Sequence, residues 1–235
     1  METAQIEMER ILGRTLGLLP GSKVLDAGAG YGRVAHTLTA EFRLAMTGID
    51  LIERRLLKGS QLNHDANISP INLVNADYLR LPFPNDAFDG VYTMETLVHA
   101  TDYKQVLDEF LRILKPGGRI ALFEYSIPNL DSVPRIPRYI AESVIKKTGM
   151  ASLPNFTHGS FSSILTHAGF ENVQAEDISR NVYASWFYLW KFATRTMFED
   201  SSKGNIGLKY IPGSFWIWPA RYKLGYNICQ ANKPE

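Results

Sequence analysis

Short apolar runs alternate with segments of helical period along the first half of the chain, and this alternation predicts repeated strand–helix units. The apolar runs predict strands at 23–25, 44–50, 71–74, 88–94 and 119–125. The intervening segments carry apolar side chains at spacings of three and four, as in helices packed on one face, and they cover 34–38, 53–63 and 103–114. The pattern therefore predicts an α/β domain with a doubly wound parallel sheet.

The second half of the chain predicts two further strands. Prolines interrupt residues 126–155, where a short helix at 139–148 is expected, and a helix at 160–168 then leads to a strand at 170–178. A final alternating run at 224–228 predicts a strand antiparallel to its predecessor. The sequence Lys115-Pro116-Gly117-Gly118 predicts a break between the helix at 103–114 and the strand that follows. An amphipathic helix is expected before the first strand, and the sheet then has seven strands.

Aromatic residues concentrate between the last two predicted strands. Residues 183–222 hold 12 of the 27 aromatic side chains and all four tryptophans. Together with an insertion at about 127–156, this segment is expected to form an aromatic-rich cap over a substrate pocket. The alternative is a segment that simply packs on the sheet. Its excess of Lys and Arg is typical of a solvated face, and the alternatives are contact with an acidic substrate or with a membrane surface.

Composition limits the possible partners and locations. The 235 residues suit a single domain, 1–235, in which about 20–126 form a ligand-binding core. A net charge of +1 argues against nucleic-acid binding, and no apolar run is long enough to span a membrane. The polar N-terminus and the single cysteine, Cys229, favour a cytoplasmic location. The oligomeric state is not predicted.

A glycine-rich turn is the main candidate for ligand binding. The strand at 23–25 runs into Asp26, and then Gly28, Gly30 and Gly32 lead into a helix. Glycines allow positive φ angles and let backbone N–H groups approach a ligand at the helix N-terminus. Asp50 ends the next strand, where a carboxylate can accept both hydroxyls of a ribose. The alternative is a tight turn without a nucleotide.

Three blocks of sequence resemble the class I S-adenosylmethionine-dependent methyltransferases, and within them the sterol 24-C-methyltransferase group. The blocks are 24–32 with Gly48-Ile49-Asp50, then 75–100 with Met94-Glu95-Thr96-Leu97-Val98-His99-Ala100, and 112–125 with Leu114-Lys115-Pro116-Gly117 and Phe123-Glu124-Tyr125. Leu97 and Thr101 depart from the sterol pattern. The resemblance implies a Rossmann-like seven-stranded sheet with one antiparallel strand.

The resemblance also implies that S-adenosylmethionine is the cofactor. It places Gly28, Ala29 and Gly30 against the methionine part, Asp50 against the ribose, and Asp77 with Tyr78 against the adenine. The complete set of expected cofactor-binding residues is Asp26, Gly28, Ala29, Gly30, Asp50, Leu51, Asp77, Tyr78 and Thr93. No metal is expected, because the sulfonium methyl group is already activated.

Four polar residues near the ends of the fourth and fifth strands are candidates for catalysis: Glu95, His99, Glu124 and Tyr125. If the chain turns helical directly after the fourth strand, the spacing of Glu95 and His99 puts both on one face. A carboxylate there can stabilise a developing cation, and a neutral imidazole can accept a proton. The alternative is that these groups only make structural hydrogen bonds.

Three functional hypotheses remain open from the sequence. The first is C-methylation of an apolar small molecule, such as a terpenoid, a sterol-like compound or a polyketide. The second is O- or N-methylation of a similar molecule. The third is a methyltransferase fold reused without methyl transfer, as a cyclase, an isomerase or a binding protein. The acids at Asp50 and Asp77 favour the first two hypotheses, because a domain that had abandoned the cofactor would not need them.

Overall fold

A computed structural model describes residues 2–65, 71–202 and 223–235. The strands in chain order are β1 (Lys23–Ala27), β2 (Ala45–Asp50), β3 (Asn72–Asn75), β4 (Phe88–Met94), β5 (Leu114–Ser126), β6 (Glu171–Asp177) and β7 (Gly225–Asn232). The α-helices are α1 (Glu2–Leu16), α2 (Arg33–Phe42), α3 (Glu53–Asp65), α4 (Tyr103–Ile113), α5 (Arg135–Thr148), α6 (Phe161–His167) and α7 (Ser179–Ser202). Among the described residues, every helix is too short or too polar to cross a bilayer.

The strands form one seven-stranded sheet in the order β3-β2-β1-β4-β5-β7-β6. Strands β1 to β5 pair in parallel, and β7 lies antiparallel between β5 and β6. The predicted sheet with a single antiparallel strand is therefore confirmed. The strand order reverses beside β1, which is where ligands bind in open α/β sheets.

Helices cover both faces of the sheet, as the doubly wound pattern predicts. On one face, α1, α2 and α7 pack through Leu12, Leu38 and Trp186. On the other face, α4 and α6 pack through Phe110 and Phe161. The periodicity of α4 was readable because this helix buries one stripe of apolar side chains. Asp102 caps α4, and its carboxylate accepts from the N–H groups of Lys104 and Gln105.

The predicted end of the helix is confirmed, because α4 ends at Ile113, but β5 begins at Leu114 and includes residues 115–118 instead of starting after them. Gly117 has a positive φ, and its N–H donates to the carbonyl of Lys233. The N–H of Lys233 in turn donates to the carbonyl of Gly118. The Pro-Gly-Gly sequence locally favours a turn, but these hydrogen bonds to Lys233 keep it in an extended strand.

The aromatic segment is helical in its first part. Its residues up to 202 belong to α7, where Trp186 is buried and lies 6.4 Å from the ring of Tyr125. Tyr188 and Phe192 are exposed on the same helix. Residues 203–222 of the expected cap lie outside the described residues. The short helix expected at 139–148 is α5, which begins at Arg135.

Candidate functional site

The glycine-rich turn lies at the carboxyl end of β1. Gly28, Gly30 and Gly32 all have positive φ angles, so side chains at these positions would strain the backbone. The N–H groups of Gly28 and Ala29 both donate to the carbonyl of Ile49, at 3.0 and 2.7 Å. Among the described residues, a Cβ at Gly30 would meet no atom within 4 Å. The turn is thus fixed on β2 and leaves the Gly30 backbone open to a ligand.

Asp50 stands beside this turn at the end of β2. Its Oδ2 accepts from the N–H of Gly30 at 3.0 Å, and its Oδ1 accepts from the N–H of Ile52 at 2.8 Å. Each carboxylate oxygen has two acceptor positions, so both oxygens keep capacity for a ligand hydroxyl. Leu51 follows with 70% of its surface exposed. Asp50 is therefore held in a fixed orientation next to an exposed apolar side chain.

Asp77, the acid expected to bind the adenine, follows β3. Its Oδ1 accepts from the N–H of Leu79, and the neighbouring Tyr78 hydroxyl donates to the carbonyl of Thr96 at 3.2 Å. Burial raises the pKa of Tyr78, so this phenol stays protonated.

Asn75 also positions the site, although the sequence did not indicate this role. Its Nδ2 donates to the carbonyls of Asp50 and Leu51 and so connects the end of β3 to the end of β2.

Glu95 departs from the expected geometry. Its φ is +59°, and only Leu97–His99 form a short 3₁₀-helix, so the expectation of a helix directly after β4 is wrong. The N–H of Glu95 donates to the carbonyl of Phe123 at 2.8 Å, which holds this left-handed conformation. The chain therefore turns sharply and directs Glu95 toward β7.

Two tyrosines hold the Glu95 carboxylate. The Tyr226 hydroxyl donates to Glu95 Oε1 at 3.0 Å, and Tyr125 donates from β5. The two phenol rings meet edge to face at 5.2 Å. Surrounding protein atoms raise the pKa of Glu95, while the hydrogen bonds from Tyr125 and Tyr226 act in the opposite direction. Glu95 remains exposed, so its carboxylate is accessible to a small molecule beside the rings of Tyr125 and Tyr226.

His99 contacts a different element from Glu95. Its Nδ1 lies 3.1 Å from the carbonyl of Gly149, at the end of α5. Because a carbonyl only accepts, Nδ1 carries the proton in the neutral ring and Nε2 is left as an acceptor. His99 is exposed, so Nε2 is available to take a proton.

Glu124 is fully buried, unlike the other three candidates for catalysis. Its Oε1 accepts from the Thr93 hydroxyl at 2.7 Å and from the N–H groups of Thr96 and Leu97 at 3.1 and 2.8 Å. Thr93, expected to bind cofactor, is also fully buried and uses its hydroxyl here. Both residues lie below the surface, where they fix the loop that carries Glu95.

Thr96 links this loop to the glycine turn. Its hydroxyl donates to the carbonyl of Ala27 at 2.6 Å, and a Cβ at Gly28 would clash with its side chain. The loop after β4 thus packs directly against the turn after β1. The two halves of the candidate site are rigidly connected.

Asp26 lies beneath the turn, 4% exposed, near the buried side chain of Tyr92, whose hydroxyl has no hydrogen-bond partner among the described residues. Burial raises the pKa of Asp26 to about 7, and the nearby charge of Asp50 acts in the same direction. Its Oδ2 has no hydrogen-bond partner among the described residues. This position supports the turn from below, and direct contact with a ligand stays a prediction.

Comparisons with known proteins agree with this geometry. Residues 25–122 match a family described as a methyltransferase domain. The chain is 35% identical over 181 residues to the S-adenosyl-L-methionine-dependent Diels-Alderase iccD of Talaromyces variabilis, covering 74% of this chain and 62% of that protein. It is 30% identical over 184 residues to the sterol 24-C-methyltransferase ERG6B of Gibberella zeae, covering 77% of this chain and 48% of that protein.

The fold has close counterparts among solved structures. The crystal structure of the cyclase SpnF superposes with a TM-score of 0.78 at 22% identity, covering 97% of this chain and 80% of that chain. Residues 25–122 form a methyltransferase domain, and the fold of the chain is that of the class I methyltransferases. The resemblance found in the sequence is therefore confirmed for this domain and for the fold. The chain spans about half to three-fifths of the length of the two curated relatives.

A change at Glu124 tests how its burial affects the stability of the methyltransferase domain. Burial raises the pKa of Glu124 to about 7, so the folded protein keeps a proton that the unfolded chain loses near the ordinary value of 4.5. Stability is therefore lost as pH rises through this window. We expect the free energy of unfolding to fall about 2–3 kcal/mol more in the native protein than in Glu124→Gln between pH 5 and 8.

Urea unfolding of both proteins at several pH values measures this difference. Asp26 titrates in both proteins, so its contribution cancels in the comparison. Parallel pH dependences of the two proteins would show that Glu124 is ionised in the folded state.

Proposed function

We propose that the protein transfers a methyl group from S-adenosylmethionine to an apolar small molecule, with C-methylation as the favoured reaction. The observation that carries the proposal is the edge formed by the open Gly30 backbone, Asp50 and Asp77, which offers two oriented carboxylate acceptors suited to a nucleoside. In this proposal, Asp50 accepts from the ribose hydroxyls and Asp77 accepts from the adenine amino group. Leu51 supplies apolar contact for the base.

The residues beyond this edge suit the chemistry of an apolar substrate. S-adenosylmethionine supplies an already activated methyl group when it is bound. A carbon–carbon double bond that accepts it becomes cationic, and the Glu95 carboxylate and the ring of Tyr125, which is not fully buried, can stabilise such a charge. Nε2 of His99 can accept the proton that then leaves. O- or N-methylation uses the same residues but needs only a base.

Calorimetry with the full chain tests cofactor binding. We expect both S-adenosylmethionine and its demethylated product, S-adenosylhomocysteine, to bind, because the turn and the two acids are intact. If neither ligand produced heat and neither competed with the other, the proposal would be contradicted. Methyl transfer is then measured with methyl-labelled cofactor and an apolar metabolite extract, followed by mass analysis.

A second candidate function is ring formation in an apolar polyene with the cofactor retained. Two similar proteins, iccD and SpnF, bear names of cyclases, and this observation favours the candidate. Cycloaddition is an isomerisation, so no atoms enter or leave. A product of unchanged mass that forms only with cofactor bound would favour this reading over methyl transfer.

We also propose that residues 127–156 and α7 form the substrate cap. The exposed Ile136 and Tyr139 of α5 and Phe192 of α7 support an apolar contact there. A cytoplasmic location and a peripheral membrane contact stay predictions.

A further inference from the structure

A second polar cluster lies at the end of β5, away from Glu95. We name it the Ser126 cluster; it consists of Ser126, His158 and Asn227. The Ser126 hydroxyl oxygen lies 2.9 Å from Nδ1 of His158, and Nδ2 of Asn227 donates to the same oxygen at 2.9 Å. Ser126 and Asn227 are buried, whereas His158 is exposed. The cluster therefore holds one exposed imidazole on two buried partners.

The buried Ser126 hydroxyl needs an acceptor for its proton, and this need decides the tautomer of His158. The amide of Asn227 can only donate to Ser126, and among the described residues Nδ1 of His158 is the acceptor in contact with the hydroxyl, so the hydroxyl donates to Nδ1. An accepting Nδ1 leaves the proton of the neutral ring on Nε2. His158 thus presents an N–H donor on the side of the ring away from Ser126. His99 has the opposite arrangement, since its Nδ1 faces a carbonyl.

The surrounding backbone leaves room for this arrangement and holds it. A Cβ at Gly225, the residue paired with Ser126 across β7, would clash with the Ser126 hydroxyl and lie 3.0 Å from Nδ1 of His158. The N–H of His158 donates to the carbonyl of Ile127, whose own N–H donates to the carbonyl of Phe156. His158 is therefore held by hydrogen bonds at both its backbone N–H and its imidazole ring.

The cluster lies on the same edge of the sheet as the proposed reaction centre. Ser126 is two residues beyond Glu124, or about 7 Å along the strand. Glu124 in turn holds the loop of Glu95 through the N–H of Thr96. Ser126 shares the face of Glu124, whereas Glu95 contacts Tyr226 on the other face of the sheet. Both Glu95 and His158 are exposed, so an elongated small molecule that crosses this edge from one face to the other can contact both.

We propose that His158, positioned by Ser126, is a substrate-binding residue that donates a hydrogen bond from Nε2 to a carbonyl oxygen of the apolar substrate. The inference rests on the proposed function and adds a polar group to the substrate class: an apolar molecule with a ketone-type oxygen. A carbonyl fits because it only accepts and His158 offers a donor. One such bond corresponds to a preference of roughly tenfold in affinity.

Two matched variants separate the donor from the packing of the ring. The amide of His158→Asn lies near the place of Nδ1, so this variant can keep the contact with Ser126 but loses the outward donor. The amide of His158→Gln lies near the place of Nε2 and restores that donor. The two probes are decan-2-one and 2-methyldec-1-ene, which have the same shape and differ in a carbonyl oxygen against a methylene group.

The affinities of both probes are measured on the full chain saturated with S-adenosylhomocysteine. We expect the ratio of ketone affinity to alkene affinity to fall roughly tenfold in His158→Asn relative to the native protein and to recover in His158→Gln. The ratio is used because the ketone loses more hydration than the alkene on binding. An unchanged ratio in His158→Asn, or an equal fall in both variants, would each overturn the proposal. Failure of S-adenosylhomocysteine to bind, measured first by calorimetry, would instead count against the proposed function.

Discussion

Glu95→Gln is expected to lower the rate of methyl transfer about a hundredfold while the affinity for S-adenosylhomocysteine changes no more than a few fold. The substitution keeps the size of the side chain and removes its charge. Gln can still accept from Tyr226 and Tyr125, so the loop after β4 keeps its anchors. The loss therefore reports the charge that stabilises a cationic transition state. Labelled-methyl transfer and calorimetry provide the two measurements.

Two further variants control this experiment. Tyr226→Phe keeps the carboxylate but removes one hydrogen bond that lowers its pKa, so we expect the acid limb of the pH–rate profile to move to higher pH. Glu41→Gln removes an exposed carboxylate paired with Arg10, outside the proposed site and cap, and should leave the rate unchanged. O-Methylation predicts another pattern, in which His99→Ala is damaging, Glu95→Gln is mild and high pH restores part of the rate. If both Glu95→Gln and His99→Ala turned over at the native rate, these two residues would have only a structural role.

The strands and the glycine turn could be predicted because they depend on local patterns. A parallel strand buried on both faces needs a continuous apolar run, and Val91 and Leu122 are accordingly fully buried. The positive φ angles of Gly28 and Gly30 follow from the residue type itself. Asp50 was predictable because the end of an apolar run marks the end of β2.

The partners of the candidate catalytic residues could not be predicted, because they come from distant parts of the chain. Tyr226 reaches Glu95 across 131 positions, and its place follows only from the antiparallel pairing of β7 with β5. The left-handed backbone of Glu95 is likewise imposed by its bond to Phe123 on the next strand. A local pattern contains neither contact.

The burial of Glu124 shows a related limit of sequence reasoning. Its position near the end of β5 favoured a catalytic role equally with Tyr125. The sheet register decides between them, because Tyr125 pairs with Tyr226 and Glu124 shares its face with Thr93. Alternate residues of a strand point to opposite faces, so neighbours in sequence acquire different environments. Which face carries the open site depends on how the helices pack.

Asp50→Ala is expected to weaken S-adenosylhomocysteine binding about ten- to hundredfold, since hydrogen bonds to a charged group are worth about 1.5–3 kcal/mol. The variant removes the acceptor proposed for the ribose hydroxyls. It also frees the N–H groups of Gly30 and Ile52, which now donate to this carboxylate. Asp50→Asn keeps an acceptor for one of these groups and should therefore lose less affinity than the alanine variant.

Glu53→Ala is the matched control for Asp50, because it removes an exposed acid three residues away in the first turn of α3. Its affinity for S-adenosylhomocysteine should equal that of the native protein, which shows that net charge alone does not account for the Asp50 effect. Calorimetry at two salt concentrations makes the comparison, since screening weakens long-range attraction but not a direct hydrogen bond. Native affinity in Asp50→Ala would mean that the ribose does not bind at the end of β2, and the proposed orientation of the cofactor would then be wrong.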